Sequence, residues 1–271
     1  MSMWDWANLP DMLGLLGGMG AGAIAGFASG LLGVSPGGIL VPAVCMTLGV
    51  DQLIAQGVSL VAQVPPTGLR GISEYRRSGQ AVPVKWVALL SSGFIAGGAC
   101  GAGAAGLLSG QALRWSFVGY LILLAVLVIL SALRSRKRTS TASVEPAVTP
   151  RAAALVTVGI VAGLSSGMLG IGGGLAVTAL STTILGLGQH RAQAMSLILA
   201  LLPLTIPAAG IYLARGGGLP WWPIAGVVFG LWIATAVGAR FANSLPERVL
   251  RPVFVVLILA MAAYMATRAT P

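Results

Sequence analysis

Charge is almost absent from long stretches of this chain. Apolar runs of bilayer-crossing length recur from residue 12 to residue 267, and basic residues gather in the gaps between them. A bilayer core about 30 Å thick needs ~20 apolar residues per helical span. Only 8% of the 271 residues are charged, against roughly 25% in soluble domains. The runs do not alternate polar and apolar residues, as the strands of a closed β-barrel would. These features predict an all-α polytopic membrane protein with almost no soluble part.

The net charge of +10 arises in the gaps, as at Arg134, Arg136, Lys137 and Arg138. Basic loops set the orientation of a membrane protein, and no RNA-binding motif accompanies them. Nucleic acid is therefore not expected as a partner; the lipid bilayer is. Cys45 and Cys100 lie in apolar segments without metal-ligand spacing and read as small packing residues. The N-terminal MSMWDWANLPDM has no basic region before its first apolar run. It reads as a poor signal peptide, with that run kept as the first helix and Trp4 and Trp6 at the interface.

The chain repeats itself. GFASGLLGVSPGGILVP from Gly26 returns as GLSSGMLGIGGGLAVT from Gly163, an offset of 163 − 26 = 137. The same offset pairs Ser29 with Ser166, Gln52 with Gln189, Gln56 with Gln193 and Ser59 with Ser196. It also pairs Pro66 with Pro203, Tyr75 with Tyr212, Gly93 with Gly230 and Arg114 with Arg251. Shared low complexity would not hold one offset through glutamine, tyrosine and arginine. The expected organisation is a repeat over 1–134, a basic and Ser/Thr/Pro-containing cytoplasmic linker over 135–151, and a second repeat over 152–271.

Each repeat divides into about five apolar segments, near 12–34, 37–49, 52–75, 83–107 and 114–133, then 152–171, 174–187, 190–214, 220–242 and 248–267. The second of each set is short for a span. If it crosses, each repeat has an odd number of crossings and the two are inverted, five plus five. With the linker in the cytoplasm, Arg76, Arg77, Lys85, Arg191, Arg240, Arg248 and Arg251 then also lie inside. If it re-enters, the arrangement is four plus four and parallel, and Arg240, Arg248 and Arg251 face outward against the charge rule. The inverted arrangement is favoured.

Interrupted short segments at matching positions of inverted repeats are the pattern of a secondary transporter, and the interruptions point to its binding site. Breaking a helix in lipid strands backbone N–H and C=O groups, which protein, water or substrate must then satisfy. Ser35, Pro36, Gly37 and Gly38 open one short segment; Gly172, Gly173 and Gly174 open the other. A helix N-terminus offers free N–H groups and about half a positive charge, which suits an anion. The competing role for such glycines, Gly26 and Gly30 above all, is close helix packing. Gln56, Ser59 and Gln63 share one helical face, and Gln193 and Ser196 repeat the first two. Their neutral donors could hold an oxyanion or simply bond neighbouring helices. Arg70 is a further candidate, or a partner for Glu74 four residues on. Ser29 and Ser166 complete the candidate set. None of the six acidic residues falls mid-span, which disfavours a proton relay and a cation site. No metal, cofactor or catalytic constellation is expected, so the chain does not read as an enzyme.

GFASGLLGVSPGGILVP, its partner GLSSGMLGIGGG, and the tails Tyr75…Gly79 and Tyr212…Gly216 resemble the TauE/SafE family of sulfite exporters. The resemblance implies transport of small sulfur-containing anions: sulfite, thiosulfate, or organosulfonates such as sulfoacetate. It implies a multi-pass protein of the bacterial cytoplasmic (inner) membrane, working by alternating access, with export as the direction. An anion channel and a non-transporting scaffold are the alternatives, and a homodimer is left open. The first copy departs from the family's GxGGG pattern at Ser35 and Pro36, whereas the second keeps Gly170, Gly172, Gly173 and Gly174.

Overall fold

The computed structural model describes residues 11–32, 35–65, 82–137, 150–187, 189–215, 219–242 and 247–269. Among the described residues every regular element is a helix. The first half holds α1 (Asp11–Leu32), α2 (Gly37–Leu48), α3 (Gln52–Ala62), α4 (Val84–Ala105) and α5 (Gly110–Lys137). The second holds α6 (Ala152–Leu169), α7 (Gly174–Thr183), α8 (Gln189–Leu201), α9 (Ile206–Ala214), α10 (Trp221–Ala242) and α11 (Glu247–Ala269). Four of the described helices, α1, α4, α6 and α10, are long and apolar enough to cross a membrane. Large side chains such as Trp222, Phe229, Trp232 and Ile233 of α10 stand exposed on the surface, as lipid-facing residues do.

Glycine spacing explains how the long helices associate. Glycines recur every fourth residue at 14, 18, 22 and 26 on α1, and at 93, 97 and 101 on α4. On α10 they stand at 226, 230 and 238, and on α6 at 159, 163 and 167. Residues four apart share a helix face, and a stripe without side chains lets two backbones touch. α1 and α10 meet on such stripes: Gly18 lies against the carbonyl of Pro223, Gly22 against that of Val227, and Gly230 against that of Met19. α4 and α6 meet likewise through Gly97 and the carbonyl of Ile160, and Gly163 and that of Phe94. Gly26 abuts Leu231, so its role is packing.

These contacts also give directions. Along α1, residues 14, 22 and 26 meet residues 223, 227 and 231 of α10, so the two run parallel. Residues 93, 97 and 101 of α4 meet residues 156, 160 and 164 of α6, again in parallel. α2 turns back along α1, since its residues Thr47 and Leu48 lie near Gly20 and Gly17. The α2–α3 turn reaches the start of α5: Asp51 pairs with Arg114 at 3.5 Å, and Gln52 Nε2 donates to Leu113 O at 3.2 Å. One end of the bundle therefore carries the start of α1, the α2–α3 turn and the end of α4, and α6, parallel to α4, runs toward that end.

The breaks have local causes. Gly49 ends α2 with φ 65°, and Gly170 ends α6 with φ 71°. Gly172 and Gly173 follow at φ 76° and 71°, a left-handed loop that only glycine enters without strain. The run 190–214, expected as one segment, is two helices. Residues 202–205 turn between α8 and α9, where Pro203 supplies no N–H and its ring crowds the preceding turn. In the first half α3 stops at Ala62, ahead of Pro65. Arg70 and Glu74 lie outside the described residues, as does most of the linker.

Adding a methyl at Gly97 drives it into the Ile160 carbonyl, whereas a Cβ at Gly119 of α5 meets nothing within 4 Å. Thermal unfolding in detergent is expected to show Gly97→Ala destabilised by ~1–3 kcal/mol, the cost of overpacking. Gly119→Ala is expected to be neutral or stabilised by up to about 1 kcal/mol, the gain in helix propensity.

Candidate functional site

The face of α3 predicted to be polar is buried against the loop that follows α6. Gln56 and Ser59 are fully buried, and Gln63, which caps α3, is 9% exposed. Ser59 Oγ donates to Gly170 O at 2.7 Å. Gln63 Nε2 lies 3.0 Å from both Ser59 O and Ser59 Oγ, and 3.4 Å from Gly170 O. The carbonyl freed by the left-handed break at Gly170 is thus held by side chains from the other half, as a buried carbonyl requires.

Ser35 extends the cluster to the start of α2. Its Oγ lies 3.2 Å from Ile171 O and 3.4 Å from Gln63 Oε1, so one proton serves two acceptors. Gly37 presses its backbone against Ile171, and any side chain there would meet the Ile171 carbonyl. Gly172 faces Gln63 and Ser35, and Gly173 faces the ring of Phe94 on α4. A Cβ on Gly174 would stand 3.1 Å from Ser35 Cβ and 3.1 Å from Ser196 Oγ. The N-termini of α2 and α7 therefore lie side by side. Ser196 Oγ donates to Gly174 O at 2.8 Å, fixing α8 against α7.

The structure thus gathers Ser35, Gly37, Ser59, Gln63, Gly172, Gly174 and Ser196 in one place. Gly38 is buried one residue into α2, with only the Ile171 side chain near it, at 3.9 Å. Ser29 and Ser166 are buried in α1 and α6, and the Ser166 carbonyl accepts the Gly170 N–H at 2.8 Å. Gln193 belongs to α8, with its side chain outside the described residues.

Tyr212 of α9 is the member that sequence reasoning missed as a site residue. Its hydroxyl lies 3.0 Å from Gln56 Oε1 and 3.1 Å from Gly167 O, joining α9, α3 and α6. The pairing of Tyr75 with Tyr212 at the offset of 137 was the available signal, since a tyrosine hydroxyl placed in an apolar run needs a partner. Gln56 Nε2 is buried and has no hydrogen-bond partner.

The electrostatics favour an anion. Two helix N-termini place about half a positive charge each beside the cluster, with first-turn N–H groups that their own helices leave unpaired. Of the described acidic residues, Asp51 sits at the α2–α3 turn, paired with Arg114. Among the described residues no group of three His, Cys, Asp or Glu could hold a metal.

A model of the family described as "Sulfite exporter TauE/SafE" matches residues 18–265. The chain belongs to this family. TauE/SafE proteins are membrane transporters of sulfur anions, and the family accounts for the apolar spans. No curated protein and no solved structure matches the chain. As a TauE/SafE member it keeps one full glycine loop, and in the other copy Ser35 supplies a hydroxyl at the junction of the two helix starts.

Gly172→Ala forces a side chain into φ 76° and into Gln63 Oε1. The left-handed conformation alone costs roughly 1–2 kcal/mol. Melting of the purified protein in detergent is expected to show at least that loss, with Gly38→Ala close to wild type.

Proposed function

We propose that this TauE/SafE protein exports a sulfur oxyanion or small organosulfonate across the bacterial inner membrane by alternating access between two inverted repeats. One observation carries the reading: two short helices, one from each half, start side by side in the interior among neutral hydroxyl and amide donors. Such an arrangement matches the half-helix sites of secondary transporters.

Inversion is supported by register and direction. Helix starts at Gly37, Gln52 and Val84 recur at Gly174, Gln189 and Trp221, each 137 residues on. α1 begins at the end of the bundle toward which α6 runs, so the two equivalent helices run in opposite directions. Five crossings per half follow when α2, and α8 with α9, are counted as crossings. The basic linker then lies in the cytoplasm and the start of α1 outside.

The bodies that rock are not the sequence halves. α1 is locked to α10 and α4 to α6 by backbone contact, and each pair takes one helix from each half. The buried core follows the pairs in part: α1, α2, α3, α5, α10 and α11 share one cluster, which Leu169 at the end of α6 also joins, and α4, α6, α7 and α8 share another. The substrate cradle lies where these bodies meet. In the structure the donors bond to the Gly170 and Ile171 carbonyls. A charged oxyanion forms bonds about twice as strong and takes those donors in exchange. Among the described residues the centre carries no fixed cation, which keeps release easy. A negative-inside potential favours anion export by ~2.3 kcal/mol per charge per 100 mV.

Proteoliposomes loaded with labelled sulfite, thiosulfate or sulfoacetate are expected to show saturable flux and counterflow for at least one of them. Ser196→Ala is expected to raise the half-saturating concentration about tenfold, equivalent to ~1.4 kcal/mol. Large single-channel currents would instead identify a channel, and no flux for any of the anions would remove the reading. The inverted topology is checked separately: a C-terminal tag is expected to be reachable from the periplasm, and a cytoplasmic tag would contradict it.

A further inference from the structure

Among the described residues Arg215 is a cation close to the proposed cradle that the cradle does not use. It caps the end of α9, and its Nη2 donates to Gly103 O of α4 at 2.7 Å. Its guanidinium carbon stands 5.4 Å from the centroid of the Tyr212 ring. Gly106 makes room for it, since a Cβ there would overlap the guanidinium. Two contacts and a vacated position therefore hold the group in one place. Its Nη1 is nevertheless buried and without a hydrogen-bond partner. Among the described residues no carboxylate pairs with it.

A bland role is available, because basic side chains often bond the last carbonyls of a helix. That role accounts for Nη2 only. It leaves a buried donor unmet and, among the described residues, a charge without a carboxylate, and a neutral amide would serve the same carbonyl. A guanidinium presents its donors as a planar fork, which matches two oxygens of one anion. Sulfite and sulfonates offer such oxygens. Position supports the match. Tyr212 touches Gln56 and Gly167 at the centre with its hydroxyl, and its ring carries Arg215 three residues along α9 toward the outer end. Residues three apart lie on one helix face, so centre and guanidinium form consecutive steps along a single surface.

We propose that Arg215 is a second anion-binding station, outward of the central cradle, which receives the sulfur oxyanion through its free Nη1. This rests on the export reading above and adds to it a fixed positive charge on the outer part of the path. The centre, neutral among the described residues, then releases readily, and the departing anion meets a cation one helical turn away.

The test uses full-length protein in proteoliposomes, with labelled sulfite as the probe and thermal unfolding as the control for folding. Arg215→Gln keeps a donor for Gly103 O and removes the charge. It is expected to raise the half-saturating sulfite concentration at least tenfold per folded molecule. Arg215→Lys keeps the charge without the fork and is expected to raise it two- to fivefold. Gly106→Ala displaces the guanidinium and is expected to raise it at least threefold. Wild-type half-saturation in both Arg215→Gln and Arg215→Lys would overturn the proposal, leaving Arg215 as a helix cap. Should Arg215→Gln not fold, wild-type values in Arg215→Lys and Gly106→Ala together would do the same. Absence of sulfite flux in the wild type removes the station together with the function on which it rests, and is distinguished by appearing before any substitution is made.

Discussion

Ser59 holds the carbonyl of Gly170 at 2.7 Å, and the arrangement of the interior depends on that bond and its neighbours. A helix broken inside a bilayer exposes backbone groups that lipid cannot satisfy. Here the chain breaks after α1 and again after α6. The carbonyls released at the second break are taken up by Ser35, Ser59 and Gln63 from the first half. The same bonds bring the starts of α2 and α7 together. Structural necessity and the proposed anion site thus share one set of atoms: donors that satisfy the resting protein are the ones the proposal gives to an anion.

The glycine stripes determine how that site can move. Helices that touch along their backbones, as α1 does with α10 and α4 with α6, behave as rigid pairs. Each pair crosses the sequence boundary between the halves, so the chain is woven rather than divided. The contacts at the centre are hydrogen bonds between neutral groups, each worth about 0.5–1.5 kcal/mol net. Exchanging a few of them for charge-assisted bonds to a substrate is within the range that shifts a two-state equilibrium. Strong packing within the pairs and modest bonding between them is what the proposed alternating access would require.

Much of this was legible in the residues. The offset of 137 carried the register of the helix starts, and the Gly/Pro interruptions marked where short helices begin. Gln56, Ser59 and Gln63 were placed on one buried face by spacing alone. The break between α8 and α9 was harder to see, because Pro203 sits in an apolar run whose hydropathy does not fall. Tyr212 and Arg215 were hidden for a different reason. Their partners, Gln56 and Gly103, are 156 and 112 residues away, and no local pattern encodes such a distance. The role of Gly26 was ambiguous in sequence, since packing and ligand approach both call for glycine, and its repeat partner Gly163 packs as it does. Only the neighbouring carbonyls of Leu231 and Phe94 decide for packing.

The account stands on a sulfur oxyanion binding where α2 and α7 begin. Selenite is a heavier analogue of sulfite, and its selenium scatters anomalously. A crystal of the full-length protein grown with selenite, measured at the selenium edge, places the anion without reference to transport. The account predicts an anomalous peak within hydrogen-bonding reach of Ser35, Ser196 and the first-turn N–H groups of α2 and α7. A reproducible peak elsewhere in the protein, with none at this junction, would contradict it.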